Sequence, residues 1–177
     1  ILVHEYVTGG GFAGRDVPAS LAREGSALLA ALVADLAALR GHQIVTTADS
    51  RFPASAPPGV EVVAFSPGSA DLLDQLIASA DAVWLIAPET NRCLERLAAR
   101  VERAGKPLLG PGAVAIRRAS DKAGLPRRLA GHGVSHPETR LLGPGADRRT
   151  AAREIGYPLV VKPALGAGCD GVCLVRD

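Results

Sequence analysis

Gly156-Tyr157-Pro158-Leu159-Val160-Val161-Lys162-Pro163-Ala164-Leu165-Gly166-Ala167-Gly168-Cys169-Asp170-Gly171-Val172 is the stretch on which the second half of the chain turns. An apolar run delivers one lysine at its end. Pro163 then stops the strand, because proline cannot donate to a ladder. Three glycines follow within six residues, and a second apolar run begins at once. The reading is strand, glycine loop, strand. Glycines let backbone N–H groups approach closely and form a concavity that holds an anion, with Lys162 beside it. The order is not that of a Walker A loop, where the lysine closes the loop and a helix follows. A tight hairpin with a solvated lysine is the plain alternative, although an ordinary hairpin turn needs only two to five residues.

Working outward, a helix is expected at 148–155 and strands at 139–142, 159–162 and 171–175. Short helices are expected at 113–117 and 121–130, the second capped by Ser120. Lys122 then falls in a first helical turn, where a cation opposes the helix dipole. Before Gly110 the tempo differs. Apolar runs at 1–7, 43–46, 60–65, 81–87 and 106–109 read as strands. Helical spacing covers 20–40, through Leu21, Leu28, Leu29, Leu32, Leu36 and Leu39, and also 69–79 and 91–104, with Ser69 as N-cap. This alternation predicts an α/β fold: a parallel sheet with helices on both faces, then a smaller α+β unit. The Gly110–Ala119 turn region marks the boundary.

The chain has 177 residues, 47% apolar and 21% charged, enough to build a core without disulfide staples. No apolar run is long enough for a membrane span. The net charge of +2 is too small to imply nucleic acid. Up to Gly110 there are 9 Lys/Arg against 12 Asp/Glu, and from Pro111 there are 11 against 6. An anionic ligand would be drawn to the second portion. Cys93, Cys169 and Cys173 fit neither a disulfide framework nor a zinc site, and a reducing cytoplasm is the simplest setting. Met is absent and Ile comes first, so the chain reads as a trimmed or partly ordered product.

Ser120-Asp121-Lys122, Leu129, the run Gly133-Val134-Ser135-His136-Pro137-Glu138-Thr139, and the Gly156–Val172 stretch together resemble the start of an ATP-grasp superfamily domain. The resemblance implies a Rossmann-like pre-ATP-grasp domain at 1–112 and a first, incomplete ATP-grasp subdomain at 113–177. It implies ATP binding by Lys122, Lys162 and the loop Gly166, Ala167, Gly168, Cys169, Asp170 and Gly171. It implies an ATP-dependent carboxylate–amine ligase that works through an acyl phosphate, with small carboxylate and amine substrates. Magnesium ligands and the adenine hinge would come from a further lobe, so this stretch alone is expected to be inactive. The resemblance allows a homodimer. Within the superfamily, residues 1–6 and 84–90 are similar to the tyramine–glutamate ligase group. In the resembled families strand ends help to form the second substrate's site, which here points to Gly10, Gly11, Glu89, Thr90 and Asn91. Glu89 has two readings, receiving an amine or capping the helix after it. No catalytic residue and no metal ligand is assigned.

Gly9, Gly11 and Gly14 satisfy G-x-G-x-x-G, but Arg15 to Pro18 intervene before the next helix, so dinucleotide binding is the second reading. A stand-alone structural domain is the third. His132 and His136 are four apart, yet Gly133 and Pro137 argue against a shared helix. His4 reads as a core or rim histidine. Cys169 reads as a small residue rather than a reactive thiol.

Overall fold

Neighbouring residues of a strand point to opposite faces, and β1 (Leu2–Glu5) shows what lies on each. Leu2 is buried with Phe65, Leu73, Ile77, Val83, Leu97 and Val101. Val3 is buried with Leu29, Val33, Leu36 and Ile44. The computed structural model, which describes residues 1–66, 69–166, 168–169 and 171–177, therefore has helices on both faces of one sheet. On the Val3 face lies α1 (Ala19–Ala37), and on the Leu2 face lie α2 (Ala70–Ser79) and α3 (Cys93–Arg103).

The sheet comprises β1, β2 (Val45–Asp49), β3 (Glu61–Phe65) and β4 (Val83–Ile86), all parallel, in the order β3-β2-β1-β4. Leu2 pairs with Val45 on one side and Val83 on the other. Chain order reverses at β1, and ligands of open α/β sheets sit off the carboxyl ends of strands at such a reversal. The parallel α/β class expected from the sequence is what the chain adopts.

Some details differ. The strand expected at 106–109 is reduced to a single bridge, Val83 to Leu108. Val83 N–H donates to Pro107 at 2.9 Å and Leu109 N–H to Val83 at 2.8 Å. Pro107 has no N–H of its own to extend the ladder. The buried face of α1 is Ala22, Gly25, Leu29, Val33 and Leu36, whereas Leu28 and Leu39 face solvent. The leucine count overstated that face, because the small residues at its start carry the closest packing. Ser69 sits at the N-cap of α2, but its hydroxyl accepts from Ser66 N–H at 3.2 Å instead of capping the helix.

The chain separates into two compact units, 1–88 with 93–113, and 89–92 with 114–177. The second contains α4 (Ala113–Ser120) from its second residue, α5 (Leu125–Gly131), α6 (Arg148–Ile155) and an antiparallel hairpin of β5 (Leu159–Val161) and β6 (Cys173–Val175). Asp147 caps α6 by accepting from Arg149 N–H at 3.0 Å and Thr150 N–H at 3.1 Å. Ser120 does not cap a following helix. It ends α4, and its hydroxyl donates back to the Ile116 carbonyl at 2.8 Å. The strand expected at 139–142 does not form. Leu141 is 70% exposed there, and Arg140 pairs instead with Glu138 and Glu154.

Candidate functional site

The carboxyl end of β1 is unusually polar for a buried strand, and its groups are satisfied locally. Glu5 is 1% exposed. Its carboxyl oxygens accept from Val7 N–H at 2.8 Å, Thr8 N–H at 2.6 Å and the Thr8 hydroxyl at 2.6 Å. A buried polar group without such partners would cost about 1–3 kcal/mol. These bonds curl residues Val7–Gly11 into a single wide turn in which Gly10 has φ 108°. A side chain at Gly10 would put its Cβ 2.7 Å from Phe65 Cβ, so only glycine fits.

Arg51, just past β2, fastens the next stretch. Its guanidinium donates to the Arg15 carbonyl at 2.6 Å, the Phe12 carbonyl at 2.8 Å and Asp49 Oδ2 at 2.8 Å. The Arg51 side chain holds the Asp49 carboxyl below its usual range. Arg15 donates to the Gly11 carbonyl at 2.7 Å and lies over the Phe12 ring.

On the Leu2 face, between the ends of β1 and β3 and helices α2 and α3, lies a cavity of about 140 Å³. His4, Phe65, Leu73, Leu97 and Arg100 form its walls, and Tyr6, Gly10 and Gly11 border it. His4 Nδ1 is 2.8 Å from the Thr47 hydroxyl. Burial, aided by the nearby Arg100 charge, lowers the His4 pKa from 6.5 to about 4, so the ring is neutral near pH 7. Burial raises the Tyr6 phenol, Cys93 beside it adds to the rise, and Arg15 opposes it.

In the second unit, Lys122 is not in a helical turn as expected. It lies in the turn between α4 and α5, where Asp121 Oδ1 accepts from Gly124 N–H at 2.9 Å. That turn is tied to the glycine loop: Lys122 N–H donates to the Ala164 carbonyl at 3.2 Å and its Nζ to the Gly166 carbonyl. Lys162 follows β5 directly and is exposed. Gly166, Gly168, Cys169 and Gly171 all have positive φ. Val172 N–H closes the loop's end on the Cys169 carbonyl at 3.2 Å. Ala167 and Asp170 lie outside the described residues. Lys122 and the Ala164–Gly166 stretch are thus brought together.

Gly10 and Gly11 belong to the first unit, whereas Glu89, Thr90 and Asn91 belong to the second. Thr90–Arg92 form one tight turn with Asn91 at φ 53° and Arg92 at φ 57°. Sequence reasoning missed Thr8, Thr47, Asp49 and Arg51, and placed His4 without a role. The available signal was the polar residues at the ends of apolar strands. Among the described residues no group of three or more His, Cys, Asp or Glu could hold a metal, and no helix is long and apolar enough to cross a membrane.

Residues 42–116 match the family profile of the pre ATP-grasp 3 domain. The chain is 32% identical to the D-alanine–D-alanine ligase of Ralstonia pickettii over 67% of its own length and 36% of the ligase. It is 38% identical to the carbamoyl phosphate synthase large chain of Rubrobacter xylanophilus over 41% of its own length and 7% of that protein. A crystal structure from Archaeoglobus fulgidus, described there as an ATP-grasp superfamily protein, superposes with a TM-score of 0.68. It does so at 22% identity, over 99% of this chain and 48% of that one. These findings bear out the likeness read from the sequence. The chain is similar to the N-terminal portion of ATP-grasp superfamily ligases. It spans well under half the length of these curated relatives.

Proposed function

We propose that this chain supplies the pre-ATP-grasp domain and the first nucleotide-gripping lobe of an ATP-dependent ligase joining a carboxylate to an amine through an acyl phosphate. The observation that carries the reading is the tie between Lys122 and the glycine loop. The ammonium and the main chain of one turn both bond to residues 164–166, and Lys162 enters the same loop. Preorganised cations beside exposed glycine backbone are suited to charge that grows on a phosphoryl group. Gly166 and Gly168 have open space where a side chain would stand, so the loop can approach a phosphate closely. Ala167, Asp170, Cys169 and Gly171 complete the proposed loop.

ATP supplies the phosphoryl group. The residues of this chain bind and orient its phosphates. Among the described residues no group of three or more His, Cys, Asp or Glu could hold magnesium, and its ligands are proposed to come from a further lobe. We assign 1–112 to the first domain and 113–177 to the first lobe. Gly10, Gly11, Glu89, Thr90 and Asn91 are proposed to meet the second substrate. A cytoplasmic setting, a homodimer and the finer likeness to tyramine–glutamate ligases belong to the same proposal.

The dinucleotide reading has less support. Val7 and Thr8 N–H groups are already taken by Glu5, and Gly11 N–H by the Tyr6 carbonyl at 2.8 Å. The next helix starts only at Ala19. A pyrophosphate would find these amides committed and no helix N-terminus directly after the loop.

The test is Lys162→Ala in the full-length protein. A charge-assisted contact is worth roughly 1.5–3 kcal/mol, so ATP affinity or the phosphoryl-transfer rate should fall about ten- to a hundredfold. Unchanged kinetics would remove Lys162 from the site.

A further inference from the structure

We propose that the cavity between β1, β3, α2 and α3 takes an uncharged apolar group of benzene's size, and that this group is the apolar side chain of the ligase's second substrate. The second clause rests on the proposed function; the first stands on the cavity alone. All of the lining belongs to the first unit. The void measures about 140 Å³, close to the ~150 Å³ that accommodates one benzene ring. Phe65, Leu73 and Leu97, all buried, give it apolar walls.

The polar members of the lining are committed elsewhere. His4 Nδ1 is 2.8 Å from the Thr47 hydroxyl, and Arg100 Nε pairs with Asp74. Among the described residues no buried side-chain nitrogen or oxygen lacks a hydrogen-bond partner. A polar ligand group entering here would give up its water without finding a new partner, which lowers affinity. An apolar group meets no such penalty and gains the contacts that the walls of a void lack. The walls are also held in place. Phe65 lies so close to Gly10, and the Tyr6 ring so close to Gly11, that neither glycine has room for a Cβ. Protein interiors are close-packed, and a void left in one lowers stability. Gly10 and Gly11 border this one, which puts it beside residues proposed to meet the second substrate.

The test is a titration of the full-length protein with benzene and with dioxane, a ring of similar size that carries two acceptor oxygens, read by NMR on leucine methyl groups. Benzene should shift the Leu73 and Leu97 signals saturably. Dioxane should bind about tenfold or more weakly. Leu97→Trp should abolish benzene binding by filling the void. Should that variant fail to fold, Leu73→Phe and the comparison of the two probes decide. Leucine, in either hand, should displace benzene, whereas glycine, with the same amine and carboxylate but no side chain, should not. No saturable shift would overturn the proposal, as would equal affinity for the two rings or binding unchanged in the filled variant. Failure of leucine to displace benzene, or equal displacement by glycine, would remove the second substrate from the cavity. ATP affinity measured alongside separates the two readings. Benzene bound while Lys162→Ala leaves ATP affinity unchanged would count against the ligase reading alone. ATP affinity lost in Lys162→Ala without benzene binding would count against the cavity alone.

Discussion

Gly25 shows how much the placement of one residue weighs. It lies on α1 directly over β1, and a Cβ there would stand 2.8 Å from Glu5 Oε2. That oxygen is bound to Thr8 twice at 2.6 Å and cannot easily retreat. Alanine would gain about 1 kcal/mol of helix propensity and lose about 1–3 kcal/mol to overpacking. Gly25→Ala should therefore lower the urea midpoint despite improving the helix. Glu5→Ala should cost more, since it strands two buried N–H donors at roughly 1–3 kcal/mol each.

His4 sets the pH dependence. Folded, it takes its proton only below about pH 4; unfolded, it does so below 6.5. Between these values the unfolded chain binds more protons, so stability is full above pH 6.5 and declines toward pH 4, by about 3 kcal/mol. Asp49 and Asp74, held low by Arg51 and Arg100, act later. Their contribution is present above about pH 4 and is lost as pH falls through their lowered folded values. Denaturant midpoints measured against pH should show the upper stage in the native chain and not in His4→Gln.

At the scale of elements, the sheet was legible because its strands are short apolar runs at regular intervals. The side chains that hold the loops were not. Arg51 and Asp49 are two residues apart in sequence, and nothing local announces that Arg51 reaches Phe12 and Arg15, 39 and 36 residues away. Arg51→Ala should free that stretch, raising amide exchange at Ala13 and Arg15, whose bonds to Gly10 and Phe12 close the turns there. Protection unchanged from the native chain would show that the turns hold themselves.

The hairpin was legible from Pro163 and the glycines, and β5 pairs with β6 in the expected sense. The position of Lys122 was not. Ser120 and Asp121 read as a helix start, but the Asp121 carboxyl folds back on Gly124, and α5 begins only at Leu125. The strand expected at 139–142 failed because a short segment alone cannot supply a neighbouring strand, and ladder bonds need one.

For the whole molecule, the charge split between an acidic first portion and a basic second one puts the cations where the proposed phosphates bind. Nucleotide affinity should accordingly fall as salt rises. Lys122, Lys162 and the loop between β5 and β6 are proposed to grip a triphosphate. The most direct measurement is a crystal structure of the full-length protein with a non-hydrolysable ATP analogue. The phosphate oxygens should lie within hydrogen-bonding distance of the Lys122 and Lys162 amines, with the loop's glycine backbone over them. A nucleotide bound elsewhere, with both amines facing solvent, would contradict the account.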